Sequence, residues 1–350
     1  MSIMKIFPYL PWTLNLALPQ SASANVAFTL GSSTSRAVHL RKSRINATKR
    51  IFSSNVPSAS DGSENSVSVS SIFEKKPSET SHKPCFFKIF YNDVYQVHLP
   101  PRHRFPMKKY EQVRKQLQRW IAELPKVDQD MVHCEFVVSP LATVDELATT
   151  HCKDYIDRFL HGRQSEKEQR NIGFPWSREG VDRALSSVGG TLAAACSVCD
   201  ELERRRIDSS SSGFEMAPWA AHVAGGTHHA FYDYGEGFSV FSDIAVAANV
   251  VLQRYPTLIK RILILDLDVH QGNGNAVLFQ GRSEVSTVSF QCEGNYFSEK
   301  QKSDLDIELP MGCNDATYLM TLHHWLKRIE KLAGPSFYDL IFYQAGVDIL

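Results

Sequence analysis

From about residue 85 onward, short apolar runs alternate with segments whose apolar residues recur at helical spacing. The apolar runs predict strands at FFKIFY, CEFVV, AAHVA, RILILDLDV, VSTVSF and YDLIFYQAG. The amphipathic segments predict helices at MKKYEQVRKQLQRWIAELP, VDELATTH, CKDYIDRFLHG, SDIAVAANVVLQRY and DATYLMTLHHWLKRIEKL, and a long helix from Ser177 through the arginines at 204–206. Pro106 opens the first of these helices, and Thr143 with Glu146 three residues on forms a capping-box signal for the second. Strands that alternate with helices predict an α/β domain of three α/β/α layers with a mainly parallel sheet.

Unusual polar clusters follow three of the predicted strands. AAHVA runs into GGTHHA, RILIL runs into DLDVHQGNG, and DLIFYQ runs into AGVDIL. In open α/β sheets, ligands bind beyond the carboxyl ends of the strands. The sequence therefore predicts one site in which these three strand ends meet.

The second cluster contains a potential metal-binding pattern. Asp266, Asp268 and His270 are spaced by two, so on an extended strand they would point to one face. Asp268 and His270 would be two zinc ligands, Asp348 at the neighbouring strand end the third, and water would fill the fourth position. An isolated D-x-D-x-H is as often a turn or a satisfied ion pair, and the other two clusters favour the metal.

His228 and His229 lie next to each other in the glycine-framed loop GGTHHA. Two histidines beside a metal can divide general-base and general-acid work if partners set their tautomers. Asp266 is the available partner for one, and Asn273 could orient the other. An isolated histidine pair is usually a surface feature, so this role depends on the predicted metal ligands nearby.

Composition separates the N-terminal segment from this domain. Residues 1–60 contain seven Lys or Arg, eleven Ser and no Asp or Glu, which is typical of an organelle transit peptide, although a disordered tail has a similar composition. Residues 61–84 are serine-rich with few bulky side chains and predict a flexible linker. We therefore expect the folded domain at 85–350, and a plastid or mitochondrial location.

Charge and cysteine content restrict the partners and the compartment. Residues 61–350 carry the remaining 31 basic side chains against all 38 acidic ones, so no overall basic surface is available for phosphates and direct nucleic-acid binding is disfavoured. Nothing reaches the roughly 18 apolar residues that a membrane span needs. Seven scattered cysteines do not form a disulfide framework and favour a reducing compartment. Cys196 and Cys199, the one C-x-x-C pair, lie in an apolar helical pattern that favours packing over a metal or redox role.

Together these motifs resemble a known superfamily. GGTHHA, Gly237 with Phe238, DLDVHQGNG and YQAGVD occur in the order seen in arginase/deacetylase proteins, and the stretch from Phe86 to Leu350 resembles class IV histone deacetylases, most closely the plant type. The resemblance implies a zinc ion held by Asp268, His270 and Asp348. It also implies that His228 pairs with Asp266 and His229 with Asn273.

The resemblance implies a substrate tunnel and a second cation as well. Phe238 and Phe297 would wall an acyl-lysine tunnel, with Gly237 offering its carbonyl to the substrate amide; as plain aromatics, both could equally be core. A monovalent cation, usually potassium, is implied near Asp266, Asp268, His270, Ser289 and Phe290.

Two features depart from the family pattern. Gly173 stands where some deacetylases carry an Asp that grips the substrate. The family also places a tyrosine on a glycine-rich loop well after the third zinc ligand, whereas this chain stops at Leu350. We therefore expect a fragment or shortened isoform that lacks the closing strands and helices, unless Tyr296 or Tyr343 replaces that hydroxyl.

The predicted reaction is hydrolysis of N-acyl-lysine amides in protein substrates such as histone tails. One alternative is a binding protein that keeps the metal without turnover. A dimetal ureohydrolase on the same fold is disfavoured because Leu350 stands where an additional Asp ligand would be needed. The resemblance implies a nuclear location, in contrast to the N-terminal segment.

Overall fold

The computed structural model describes residues 23–28, 85–124, 132–207, 217–296, 298–334 and 337–346. The predicted linker at 61–84 lies outside these ranges, as does most of the predicted transit segment. The strands are β1 (Ser23–Phe28), β2 (Cys85–Tyr91), β3 (Val132–Val138), β4 (Trp219–His222), β5 (Ile262–Asp266), β6 (Val285–Cys292), β7 (Leu305–Leu309) and β8 (Leu340–Gly346). They form one sheet in the order β3-β2-β4-β1-β8-β5-β6-β7.

The helices are α1 (Lys109–Ala122), α2 (Val144–Leu147), α3 (Lys153–Leu160), α4 (Glu166–Ile172), α5 (Arg178–Ile207), α6 (Asp243–Arg254), α7 (Asn273–Leu278) and α8 (Asp315–Ala333). The predicted capping box is confirmed at α2: Glu146 N donates to Thr143 Oγ1 at 3.2 Å, and Thr143 N to Glu146 Oε2 at 2.8 Å. None of the helices in the described ranges is both long enough and apolar enough to cross a bilayer.

The sheet is mainly parallel, as predicted, and β1 is the exception. β1 runs antiparallel to both of its neighbours, so that Asn25 pairs in register with His222 of β4 and with Gln344 of β8. The pattern did not predict this strand, which comes from the segment expected to be a transit peptide. Since β4 and β8 are both antiparallel to β1, they run in the same direction, and the carboxyl ends of β4, β5 and β8 meet at one edge of the sheet.

Apolar side chains cover both faces of the sheet, which explains why β5 is apolar throughout. Ile262 and Ile264 pack on the side of α5 and α6, whereas Leu263 and Leu265 pack on the side of α8. This confirms the three-layer α/β/α arrangement. Cys199 is fully buried in the first of these clusters, in agreement with a packing role.

Candidate active site

The segment after β5 turns instead of continuing as a strand, which corrects one prediction. Asp268 N donates to Asp266 Oδ1 at 3.0 Å, and His270 N donates to Asp268 Oδ1 at 2.9 Å. Each aspartate thus accepts from the backbone two residues on, a local bond that ends the strand at Asp266. The expectation that all three side chains share one face of an extended strand is therefore wrong. Asp268 and His270 are brought together by consecutive turns.

The donor atoms of Asp268 and His270 suit a tetrahedral metal. Asp268 Oδ1 lies 3.1 Å from His270 Nδ1, close to the roughly 3.3 Å edge of a tetrahedron with metal–ligand bonds of about 2.0–2.1 Å. Burial opposes ionisation of Asp268, but His228 and His270 hold the pKa of its carboxyl below the ordinary value. The end of β8 packs directly against the backbone of Asp268, since a Cβ added to Gly346 would overlap Asp268 Cα. Asp348, two residues further on, is outside the described residues.

His228 forms a buried pair with Asp266. Its Nδ1 donates to Asp266 Oδ2 at 2.6 Å, and its Nε2 lies 3.9 Å from Asp268 Oδ1. Burial alone would lower the pKa of His228, but the two carboxylates outweigh it and raise the pKa to about 9. The predicted pairing is therefore present in the structure, and the two carboxylates favour the protonated form of the His228 ring.

His229 has a neutral partner, and its surroundings favour the neutral form of its own ring. Its Nδ1 lies 2.8 Å from Asn273 Oδ1. Burial, and then the neighbouring cationic His228, hold the pKa of His229 well below its ordinary value. Tyr296 places its hydroxyl 3.3 Å from the same Nδ1. Tyr343, the other tyrosine considered as a hydroxyl donor, packs in the cluster on the α8 side.

The loop that precedes the two histidines is held by Asp243, the first residue of α6. Its carboxylate accepts from Gly226 N, Thr227 N, Thr227 Oγ1 and Thr191 Oγ1 at 2.6–3.2 Å. Because the Thr191 hydroxyl donates to Asp243, it accepts from His222 Nδ1, which lies at 2.9 Å. A buried network thus fixes the backbone that delivers both histidines.

Gly237 and Phe238 form the centre of a tight turn. Both have positive φ, 56° and 64°, and Ser239 N closes the turn on Glu236 O at 2.9 Å, which is the pattern of a type I′ turn. Phe238 N also donates to Ile172 O at 2.7 Å. A positive φ is uncommon for phenylalanine, so this turn is held in place by its surroundings.

The ring of Phe238 lines a mainly apolar pocket that reaches Thr227, the residue before His228, although neither histidine is among its lining residues. It also packs on Phe174, with ring centroids 5.1 Å apart. Gly173 ends α4 with a φ of 86°, and a Cβ there would fall 2.9 Å from the Phe238 ring. The Phe238 ring thus leaves no room for a larger side chain at position 173, which explains the glycine. Phe297, the other predicted tunnel wall, is outside the described residues.

The residues implied for potassium lie at the end of β5, in the turns that follow it, and beside it in the middle of β6. Asp266 pairs in register with Ser289, and both are buried. Ser289 Oγ donates to Gln291 Oε1 at 2.9 Å, and an oxygen that donates its proton can still coordinate a cation. The side chain of Phe290 belongs to the core, so only its backbone could contribute.

Two residues of the site were not predicted from the sequence. Asp243 follows a serine at the start of a helix, a pattern that signals only a cap. Glu236 accepts from Asn273 Nδ2 at 2.6 Å, a contact between a turn and the start of α7 that cannot be predicted from the spacing of neighbouring residues.

Residues 103–350 match the model of the histone deacetylase domain. The chain belongs to the histone deacetylase family. An uncharacterised protein of the cyanobacterium Picosynechococcus sp. is similar at 38% identity, over 75% of this chain and 78% of that protein. Histone deacetylase 2 of Arabidopsis thaliana is 27% identical over 65% of this chain and 51% of its own length. Acetoin utilization protein AcuC of Staphylococcus aureus is 25% identical over 64% of this chain and 58% of its own length.

Solved structures agree with the fold. A crystal structure of an HDAC homolog from Aquifex aeolicus superposes with a TM-score of 0.51 at 20% identity, covering 71% of this histone deacetylase-family chain and 66% of that chain. An HDAC homolog complexed with SAHA gives the same score at 22% identity, covering 72% and 66%. The chain thus spans about half to two thirds of the length of several relatives. Family membership supports deacetylase-type amide hydrolysis as the chemistry of this site.

Proposed function

We propose that this protein is a zinc-dependent hydrolase of N-acyl-lysine amides, of the class IV type. One observation carries the proposal: two adjacent histidines, each hydrogen-bonded to a buried acceptor, converge on the Asp268–His270 pair. Packing in the core does not require this arrangement, whereas amide hydrolysis at a metal needs both proton transfer and metal ligands.

The two histidines have different roles in the proposed reaction. Zinc bound by Asp268, His270 and Asp348 would polarise the substrate carbonyl and acidify a water molecule. His229 is neutral and engaged at Nδ1 by Asn273, so its Nε2 takes the proton of the attacking water and returns it to the leaving amine. Cationic His228, fixed by Asp266, stabilises the negative charge that develops on the carbonyl oxygen.

The substrate side is proposed from the turn and the pocket. The apolar wall around Phe238 suits the alkyl stem of an acylated lysine, and Gly237 would accept from the substrate amide with its carbonyl. Acyl-lysine proteins such as histone tails are the proposed substrates. Potassium is proposed at Asp266, Asp268, His270, Ser289 and Phe290, where it would rigidify the turns that carry the metal ligands.

Localisation in a plastid or mitochondrion is proposed from the composition of residues 1–60, and since Ser23–Phe28 pair with β4 and β8, at least these residues would be retained after import. A fluorescent fusion to those residues alone tests it. Fluorescence confined to the nucleus and cytosol would contradict the prediction of a transit peptide and favour the nuclear alternative.

Metal analysis combined with turnover tests the function. We expect one zinc per chain, hydrolysis of an acetyl-lysine peptide, and binding of SAHA by the zinc-loaded protein. Asp268→Ala should lose both zinc and activity. His229→Ala should keep zinc and lose turnover by about 10² or more. Stoichiometric zinc in Asp268→Ala would refute the ligand assignment, and zinc loss in His229→Ala would refute the proton-transfer role.

A further inference from the structure

Asn273 holds His229 with a side chain that has two chemically different ends. Its Oδ1 faces His229 Nδ1 at 2.8 Å and also accepts from Gly274 N at 2.9 Å. Its Nδ2 faces Glu236 Oε1 at 2.6 Å. Asn273 is fully buried, so the amide is fixed by these contacts.

The direction of each bond follows from the chemistry of the groups. An amide nitrogen donates and a carboxylate accepts, so Glu236 takes the amide's NH₂ end and turns its oxygen towards His229. An amide oxygen can only accept, so His229 Nδ1 carries the hydrogen, and the more distant Tyr296 hydroxyl at 3.3 Å from this nitrogen then acts as an acceptor. Nε2 is then the unprotonated nitrogen of the neutral ring. A carboxylate at position 273 would not need such help, because both of its oxygens accept.

We propose that Glu236 is a positioning residue that sets the tautomer of His229 through the amide of Asn273. The inference rests on the proposed function for its catalytic meaning, since proton transfer at Nε2 needs that tautomer. Glu236 is itself well placed for this task. It is half-buried at the start of the turn that is tied to α4, and its other oxygen accepts from Ser298 Oγ at 3.3 Å.

The test compares substitutions that keep, remove or reverse the acceptor. Glu236→Gln keeps a carbonyl oxygen for the NH₂ end and should retain most activity. Glu236→Ala removes it and should lower kcat about tenfold, a smaller loss than that expected for His229→Ala, with KM and zinc content unchanged. Glu236→Lys presents a donor to a donor and should have the larger effect. Glu299→Ala removes an exposed carboxylate from the neighbouring loop and serves as the matched control for charge alone.

A double substitution provides a rescue. In Glu236→Ala/Asn273→Asp, the carboxylate accepts from His229 whichever way it turns, so the Nδ1–H tautomer and kcat should return towards wild type. A merely structural role for Glu236 predicts no such rescue. The tautomer is read directly from long-range nitrogen–proton correlation spectra of ¹⁵N-histidine-labelled protein, with His229→Ala used to assign the signals.

The spectra do not depend on turnover, so the two proposals can fail separately. A mixed tautomer in Glu236→Ala, restored by Asn273→Asp, supports the inference even in a chain that hydrolyses no peptide; such inactivity would count against the proposed function alone. An unchanged Nδ1–H tautomer in Glu236→Ala and Glu236→Lys would overturn the inference. So would a raised KM at constant kcat, which would instead make Glu236 a substrate-binding residue.

Discussion

Replacing Asp243 by asparagine should destabilise the protein out of proportion to the one atom that changes. The carboxylate is fully buried and accepts four hydrogen bonds: from Gly226 N and Thr191 Oγ1 at Oδ2, and from Thr227 N and Oγ1 at Oδ1. Whichever way the asparagine amide turns, its NH₂ end meets two donors. Hydrogen bonds to a charged group contribute about 1.5–3 kcal/mol each, so two losses amount to about 3–6 kcal/mol. Removing a buried charge offsets part of this, and we expect a net loss of about 3 kcal/mol.

Urea unfolding followed by tryptophan fluorescence and circular dichroism measures this loss, and a constant slope would show that the unfolded state is unchanged. Asp315→Asn is the matched control, since Asp315 also lies in the first turn of a helix but is exposed; we expect it to change the free energy by less than about 0.5 kcal/mol. Because the Asp243 network holds the loop of the two histidines, kcat of the zinc-loaded variant should also fall. If Asp243→Asn unfolds within 0.5 kcal/mol of wild type, the assignment of all four partners as donors is wrong.

Two further substitutions test the surroundings of the site. His151 donates from Nδ1 to Phe231 O and accepts from Ser242 N, and burial lowers its pKa from 6.5 to about 4. As the pH falls, this histidine is protonated in the unfolded chain before it is protonated in the folded protein. The free energy of unfolding therefore decreases by about 3 kcal/mol between pH 6.5 and pH 4. His151→Gln should flatten urea-derived stability over that window by this amount, and an unaltered pH profile would contradict the assignment. Gly173→Ala should cost about 1–2 kcal/mol in the same assay, because alanine disfavours the positive φ and its Cβ meets Phe238; a neutral effect would show that the turn yields freely.

Features of the fold that have a local cause could be predicted from the sequence. The apolar periodicity predicted most helices and strands within a few residues, and the capping box at Thr143 needed only a four-residue motif. The polar clusters at the ends of β4 and β5 do meet, because strand direction follows from alternating strands and helices. The pairings of His228 and His229 came from family resemblance and are present in the structure.

The failures have physical reasons of two kinds. The predicted strand through Val269 ends at Asp266 because short acidic side chains compete for the backbone, an effect that hydrophobic alternation cannot reveal. Glu236 and β1 depend on contacts between distant parts of the chain. No window of neighbouring residues contains the information that Glu236 meets Asn273 or that Ser23–Phe28 pairs with β8.

The position of β1 also bears on how the protein reaches its native state. Asn25 pairs with Gln344, more than 300 residues away, and β1 is the strand through which the β3-β2-β4 half of the sheet is joined to the β8-β5-β6-β7 half. Pairings of such high contact order form late, because the entropy of closing the loop must be overcome first. During synthesis the N-terminal residues leave the ribosome long before their partner in β8 exists. The N-terminal strand should therefore join the sheet in the last step of folding.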